Sequence, residues 1–287
     1  MLTDYHLHLR ADDPDATPAN SFTPANAERY RAAAGERGIA ELGVSEHIYR
    51  FTQALELWRH PLWQEFARDD IDQYCAFVRE QTDLRLGIEA DFIPGGEERI
   101  ATLLGARDFD YVVGSVHFLR DGALDMDDYS VWDSGRSVED IWRRYFETVG
   151  ESARSGLFDI ISHPDLVKYW GPSHPQGRRP DGDLRRYYEV AVEGIAESGV
   201  AVELSTAGRR KPAGEMYPAP AFLQMCVEAD VPVALSSDAH RAEDVGADYD
   251  RALELLAQLG VEQLSVFERR VRRLEPLGAG EKSELAT

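Results

Sequence analysis

Asp4-Tyr5-His6-Leu7-His8 lies near the end of the first apolar run of the chain, Leu2 to Leu9. Read as a strand, that run places side chains two apart on one face, so His6 and His8 converge. Two imidazoles from one strand end suit a metal ion, because neutral imidazole is the commonest protein metal ligand. A strand with two ordinary histidines is the alternative, and the rest of the chain decides between them. The same arrangement, a short apolar run followed by histidine or acid, recurs. Ile39 to His47 ends in Glu46-His47, Leu84 to Phe92 carries Glu89 and Asp91, and Asp110 to Phe118 carries His117. Leu157 to Ser162 stops at His163-Pro164, and Val231 to Ser237 is followed by Asp238-Ala239-His240.

Helical patterns separate these runs. Pro24 to Gly38 is one, with Pro24 suited to a first turn and Gly35 and Gly38 marking the end. Others are predicted over 70–81, 97–106, 138–155, 184–198, 218–229 and 249–259. Loops are expected over 48–69, with short helical pieces, and over 120–136, 169–181 and 207–217, with a last strand over 261–267. Strand and helix thus alternate about seven times, which predicts an α/β fold with a parallel sheet and favours a closed or distorted barrel. A doubly wound open sheet is the second reading. Residues 1–275 are read as a single domain and 276–287 as a polar tail. No glycine-rich phosphate loop follows the first strand, so no nucleotide-binding signature is present.

Composition narrows the function. The chain has 52 acidic against 31 basic residues, a net charge of −21. That field opposes nucleic acid and anionic membranes, which want basic patches, so neither is expected as a partner. An anionic substrate must then be gripped locally. Nothing in the sequence sets an oligomeric state. Cys75 and Cys226 make no disulfide framework, no signal peptide opens the chain and no run is long enough to span a membrane, so the cytoplasm is expected.

In a parallel barrel all strands end at one face, the face that carries active sites. Six of the eight histidines, His6, His8, His47, His117, His163 and His240, converge there on this reading; His60 and His174 sit in loops. Histidine and carboxylate without cysteine suit Zn, Mn or Fe. Six histidines with Glu89 and Asp238 exceed one tetrahedral set, so two to three divalent ions are expected. Glu46 and Asp91 are read as supporting acids. Two close metals sharing a water make a hydrolytic centre.

These residues resemble the polymerase and histidinol phosphatase (PHP) superfamily, specifically its histidinol-phosphatase branch. The resemblance rests on Asp4-Tyr5-His6-Leu7-His8, Ser45-Glu46-His47, Gly87-Ile88-Glu89-Ala90-Asp91, Gly114-Ser115-Val116-His117, Ser162-His163-Pro164-Asp165 and Ser236-Ser237-Asp238-Ala239-His240. It implies a distorted (β/α)7 TIM-like barrel with a trinuclear metal site. One ion would take His6, His8, Glu89 and Asp238; a second would share Glu89 and take His117 and His163; a third would take His47, His240 and a residue of the loop after His8. Pro14 stands where the family often has that last ligand, and of Asp12, Asp13 and Asp15 around it, Asp13 is preferred. The segment Gly208-Arg209-Arg210-Lys211 is similar to a Gly-x-Arg-Lys stretch of the branch, which implies Arg210 as the phosphate-binding residue. The implied activity is hydrolysis of L-histidinol phosphate, a small-molecule phosphomonoester of histidine biosynthesis, with Asp238 or His240 moving the proton to the leaving alkoxide. Alternatives are a related phosphoesterase acting on nucleotides or oligonucleotide ends, or a non-catalytic metal-binding barrel.

Overall fold

A computed structural model describes residues 1–120 and 122–277. In chain order its strands are β1 (Leu2–Asp4), β2 (Ile39–Val44), β3 (Arg85–Asp91) and β4 (Tyr111–Ser115), then a small hairpin of β5 (Phe118–Leu119) and β6 (Gly122–Ala123). After these come β7 (Ile160–Ile161), β8 (Ala201–Ser205), β9 (Val233–Ser236), and a second hairpin of β10 (Gln263–Glu268) and β11 (Val271–Pro276). The helices are α1 (Pro18–Ser21), α2 (Pro24–Glu36), α3 (Pro61–Phe66), α4 (Ile71–Gln81), α5 (Glu97–Gly105), α6 (Val138–Arg154), α7 (Arg185–Ser198), α8 (Pro220–Glu228) and α9 (Tyr249–Gln258).

Seven strands form one sheet in the order β1-β2-β3-β4-β7-β8-β9, every pairing parallel. The two outer strands then meet. Leu7 bridges Ala239 in parallel, the His8 N–H donates to the Ala239 carbonyl at 2.8 Å, and the Ser237 N–H donates to the Asp4 carboxylate at 3.1 Å. The sheet is a nearly closed (β/α)7 barrel, as the alternation predicted, and not an open sheet.

The strand period of two sorts the barrel interior into layers. Tyr111 and Val113 on β4, Ile160 on β7, Ala201 on β8 and Ala234 on β9 join Tyr5 in an apolar floor. Two residues further along the same faces come Ser115, Ser162, Glu203 and Ser236, all buried. Gly43 and Gly87 make room for the floor, because a Cβ on either would overlap the Tyr111 side chain. The larger apolar core lies between the strands and the surrounding helices.

Several expectations shift. The strand read over 261–267 is β10, and it stays out of the barrel, pairing antiparallel with β11, which the sequence reading did not find. Apolar spacing announces a strand but not its partner. Val266 and Phe267 of β10 pack on Tyr5 and Tyr111 and plug the barrel below the floor. β1 and β7 are also shorter than the apolar runs 2–9 and 157–162, and Pro276, expected in the tail, closes β11; the tail from 278 onward lies outside the described residues.

Candidate metal centre

Past Asp4 the chain leaves strand geometry, yet His6 and His8 both remain in the barrel mouth, with ring centroids 5.3 Å apart. Around them gather the other four strand-end histidines. His8 stacks on His47 at 4.1 Å and on His240 at 4.2 Å. His163 lies 5.6 Å from His6 and 5.0 Å from His117.

Glu89, buried on β3, ties the cluster together. Its Oε1 lies 3.1 Å from His163 Nε2 and 3.4 Å from His117 Nε2. Its Oε2 lies 2.5 Å from His47 Nδ1, 3.3 Å from His6 Nε2 and 3.6 Å from His8 Nε2. Each oxygen of one carboxylate therefore faces a different set of ring nitrogens. Asp238 stands 3.4 Å from His8 Nε2 and 3.7 Å from His6 Nε2. Four overlapping groups could each hold an ion: His6, His8 and Asp238; His6, Glu89 and His163; His47, Glu89 and His117; His8, His47 and His240.

The donor atoms fit such ions. His6 Nε2, both nitrogens of His8, Glu89 Oε2 and Asp238 Oδ1 are buried without a hydrogen-bond partner among the described residues. Orphaned buried polar atoms are costly and rare, so their concentration at one point marks a place built for a bound group. Electrostatics agree. Burial opposes charge on His6, but Glu203, Glu89 and Asp238 outweigh it and lift its pKa well above the usual value. Burial also opposes charge on His117, yet Asp91 and Glu89 raise it to about 10. Burial, reinforced by His47 and His240, holds His8 well below its usual value. Glu89 resists its own burial because His47, His6 and His117 keep it ionised. A divalent cation would take the place of the protons that His6 and His117 hold, and would meet His8 neutral and Glu89 ionised.

Outer partners fix the rings. His6 Nδ1 lies 2.7 Å from Glu203 Oε1 on β8. Glu203 also accepts from the His163 N–H at 2.7 Å and the Ser236 hydroxyl at 2.6 Å. His117 Nδ1 lies 2.9 Å from Asp91. Glu46 accepts from Arg50 at 2.8 Å and the Arg10 N–H at 3.1 Å. The turns carrying His163 (φ +23°) and Asp238 (φ +47°) are left-handed, a strain of about 1–3 kcal/mol each that the surrounding bonds must hold.

Two sequence expectations are not met by the geometry. Asp13 is exposed and caps its own loop, accepting from the Asp15 N–H at 3.0 Å. The neighbour that reaches the cluster is Asp12, 3.1 Å from His240 Nε2 and ion-paired to the buried Arg50. Arg50 chooses between the two acids, and it lies 38 residues away in sequence. Arg210 likewise does not line the cavity at the mouth. Its guanidinium donates to the Ser237 carbonyl and faces Asp244 at 3.6 Å, so it braces the turn that carries Asp238. The next residue, Lys211, lines the cavity over the histidines instead, a space of about 190 Å³ shared with Asp125, Tyr49, Tyr169, Asp238 and His240. Glu203, Arg50 and Asp125 were not singled out from sequence. A lone acid inside the apolar run Ala201-Val202-Glu203-Leu204 was the available signal for the first. His60 and His174 stay outside: His60 caps α3 and His174 stacks on Trp170.

A family model described as PHP domain matches residues 22–207. A protein of Deinococcus radiodurans named probable histidinol-phosphatase is 31% identical over 278 residues, covering 94% of this chain and 98% of its own. The chain belongs to the PHP domain family. Another relative of this PHP protein, the histidinol-phosphatase of Bacillus subtilis, is 28% identical over 79% of the chain and 91% of its own. Among solved structures, a histidinol phosphate phosphatase of Lactococcus lactis, complexed with zinc, L-histidinol and phosphate, shares the PHP fold. It gives a TM-score of 0.68 over 95% of this chain and 98% of that one, at 18% identity. Among the described residues no helix is long and apolar enough to cross a membrane.

Proposed function

We propose that this PHP protein is a metal-dependent phosphomonoesterase that hydrolyses L-histidinol phosphate to L-histidinol and phosphate, a reaction of histidine biosynthesis. The observation that carries the reading is Glu89, whose two oxygens face two sets of histidines beneath a cavity lined by Lys211. Full-length similarity to proteins named histidinol-phosphatase supports the choice of substrate. His6, His8, Glu89 and Asp238 would hold one ion, Glu89, His117 and His163 a second, and His47, His240 and Asp12 a third. The nitrogen and oxygen donors suit Zn, Mn or Fe. When bound, such ions supply an activated water and charge neutralisation for phosphate oxygens.

The remaining work belongs to the chain. Glu203 holds His6 with Nδ1 engaged, which leaves Nε2 free to bind. Lys211 offers a cation to the phosphate in an otherwise repulsive field. Asp238 Oδ1 and His240 Nδ1 stand 3.6 Å apart on the cavity wall and are placed to pass a proton to the departing alkoxide. Residues 1–275 serve this site as one domain on our reading. We place the protein in the cytoplasm, where its free thiols Cys75 and Cys226 suit a reducing environment.

Phosphate release from L-histidinol phosphate, glycerol 3-phosphate and AMP by metal-reconstituted protein tests the reading. The expected result is about two to three metal equivalents per chain and a preference for L-histidinol phosphate of about 10²-fold or more. Preference for AMP, or less than about one metal per chain after reconstitution, would refute it.

A further inference from the structure

Asp125 follows the hairpin β5–β6 and lines the cavity above the histidines. It belongs to none of the four groups able to hold an ion. Its Oδ1 is buried with no hydrogen-bond partner among the described residues. The residue before it is pinned on both sides. The Leu124 N–H donates to the His117 carbonyl at 2.9 Å, and the Leu124 carbonyl accepts from the indoles of Trp132 at 3.2 Å and Trp170 at 2.8 Å. The backbone that enters Asp125 is thus held in place, while its Oδ1 is left without a partner among the described residues.

A phosphate has no use for such a group, since two anions in one cavity repel. A fixed carboxylate with a free oxygen is costly unless something positive meets it. Lys211 lines the same cavity but forms no ion pair with Asp125 within 4.0 Å. Apart from the residues assigned to the ions, the cavity therefore presents, among the described residues, a cation, Lys211, and an anion, Asp125, that do not pair with each other. The cavity walls also include Tyr49, Tyr169 and Met126, aromatic and soft surfaces that suit a flat ring or an ammonium group.

We propose that Asp125 binds the cationic end of the substrate, so that the site selects phosphomonoesters bearing an ammonium or imidazolium group; this rests on the function proposed above. Asp125 is a specificity residue and takes no part in breaking the P–O bond. The metal-loaded wild type and D125N are compared by steady-state kinetics on L-histidinol phosphate and on glycerol 3-phosphate, whose alcohol is uncharged. Inhibition by L-histidinol and by inorganic phosphate is measured on both. The ratio of kcat/KM for L-histidinol phosphate to that for glycerol 3-phosphate is expected to fall by about 30-fold, and the L-histidinol inhibition constant to rise by about the same factor. The phosphate inhibition constant is expected to move far less. A merely structural role would move both inhibition constants together, and that result, or no change in either, overturns the assignment. Wild type that cleaves other phosphomonoesters but not L-histidinol phosphate overturns the proposed function and this inference together. Wild type that cleaves it with the ratio intact in D125N overturns the inference alone.

Discussion

Substituting Glu203 by glutamine separates the metal site from the fold that carries it. The carboxylate accepts three hydrogen bonds, from His6 Nδ1 at 2.7 Å, the His163 N–H at 2.7 Å and the Ser236 hydroxyl at 2.6 Å. Alanine would orphan all three donors, at about 1–3 kcal/mol each. The sum, about 3–9 kcal/mol, rivals the whole stability of a domain and would confuse unfolding with loss of function. Glutamine keeps the shape. Its amide oxygen can take the His163 N–H while its NH2 donates towards Ser236 Oγ and His6 Nδ1. That arrangement satisfies every partner only if His6 moves its proton to Nε2. Nε2 is the nitrogen facing Glu89 and Asp238, so it loses the lone pair that an ion needs. Stability of the metal-free protein is expected to change by about 1 kcal/mol, a Tm shift of about 2–4 °C. Metal affinity is expected to fall about 10- to 100-fold, as for other partners behind a metal ligand. Calorimetry of metal-free protein gives the first quantity and chelator competition the second. If affinity stays at the wild-type value while Glu203→Gln folds normally, Glu203 does not set the His6 tautomer and the reasoning fails.

Three other perturbations probe the same centre. Glu89→Gln keeps the volume but removes the charge that faces both histidine sets, and phosphatase turnover is expected to fall by about 10³-fold or more with reduced metal content; near-normal turnover would rule out a bridging role. Asp12→Asn is expected to weaken one metal equivalent and Asp13→Asn to leave metal content at the wild-type level, since only Asp12 reaches His240; metal titration of the two variants distinguishes them. Lys211→Met is expected to raise the inhibition constant of inorganic phosphate by about tenfold or more, whereas Arg210→Ala should act on thermal stability and metal retention because its guanidinium braces Ser237; the opposite pattern would restore Arg210 as the phosphate ligand.

The sequence by itself determined the barrel and most of the metal centre. Both follow from local rules. Alternation of short apolar runs with helical periods requires parallel strands, and parallel strands deliver their ends to one face. A histidine written just past such a run arrives at that face whatever the details of packing, which is why His6, His8, His47, His117, His163 and His240 meet in the structure. Tertiary structure alone decided which of two neighbours points inward. Asp12 and Asp13 are equivalent as sequence, and so nearly are Arg210 and Lys211. Arg50, buried beneath the loop, draws Asp12 to the cluster. The Ser237 carbonyl draws Arg210 away and leaves Lys211 to the cavity. Glu203 was hidden for a related reason: an acid within an apolar strand has meaning only once His6, His163 and Ser236 surround it. Loop direction is set by contacts between residues tens of positions apart, and no local period encodes them.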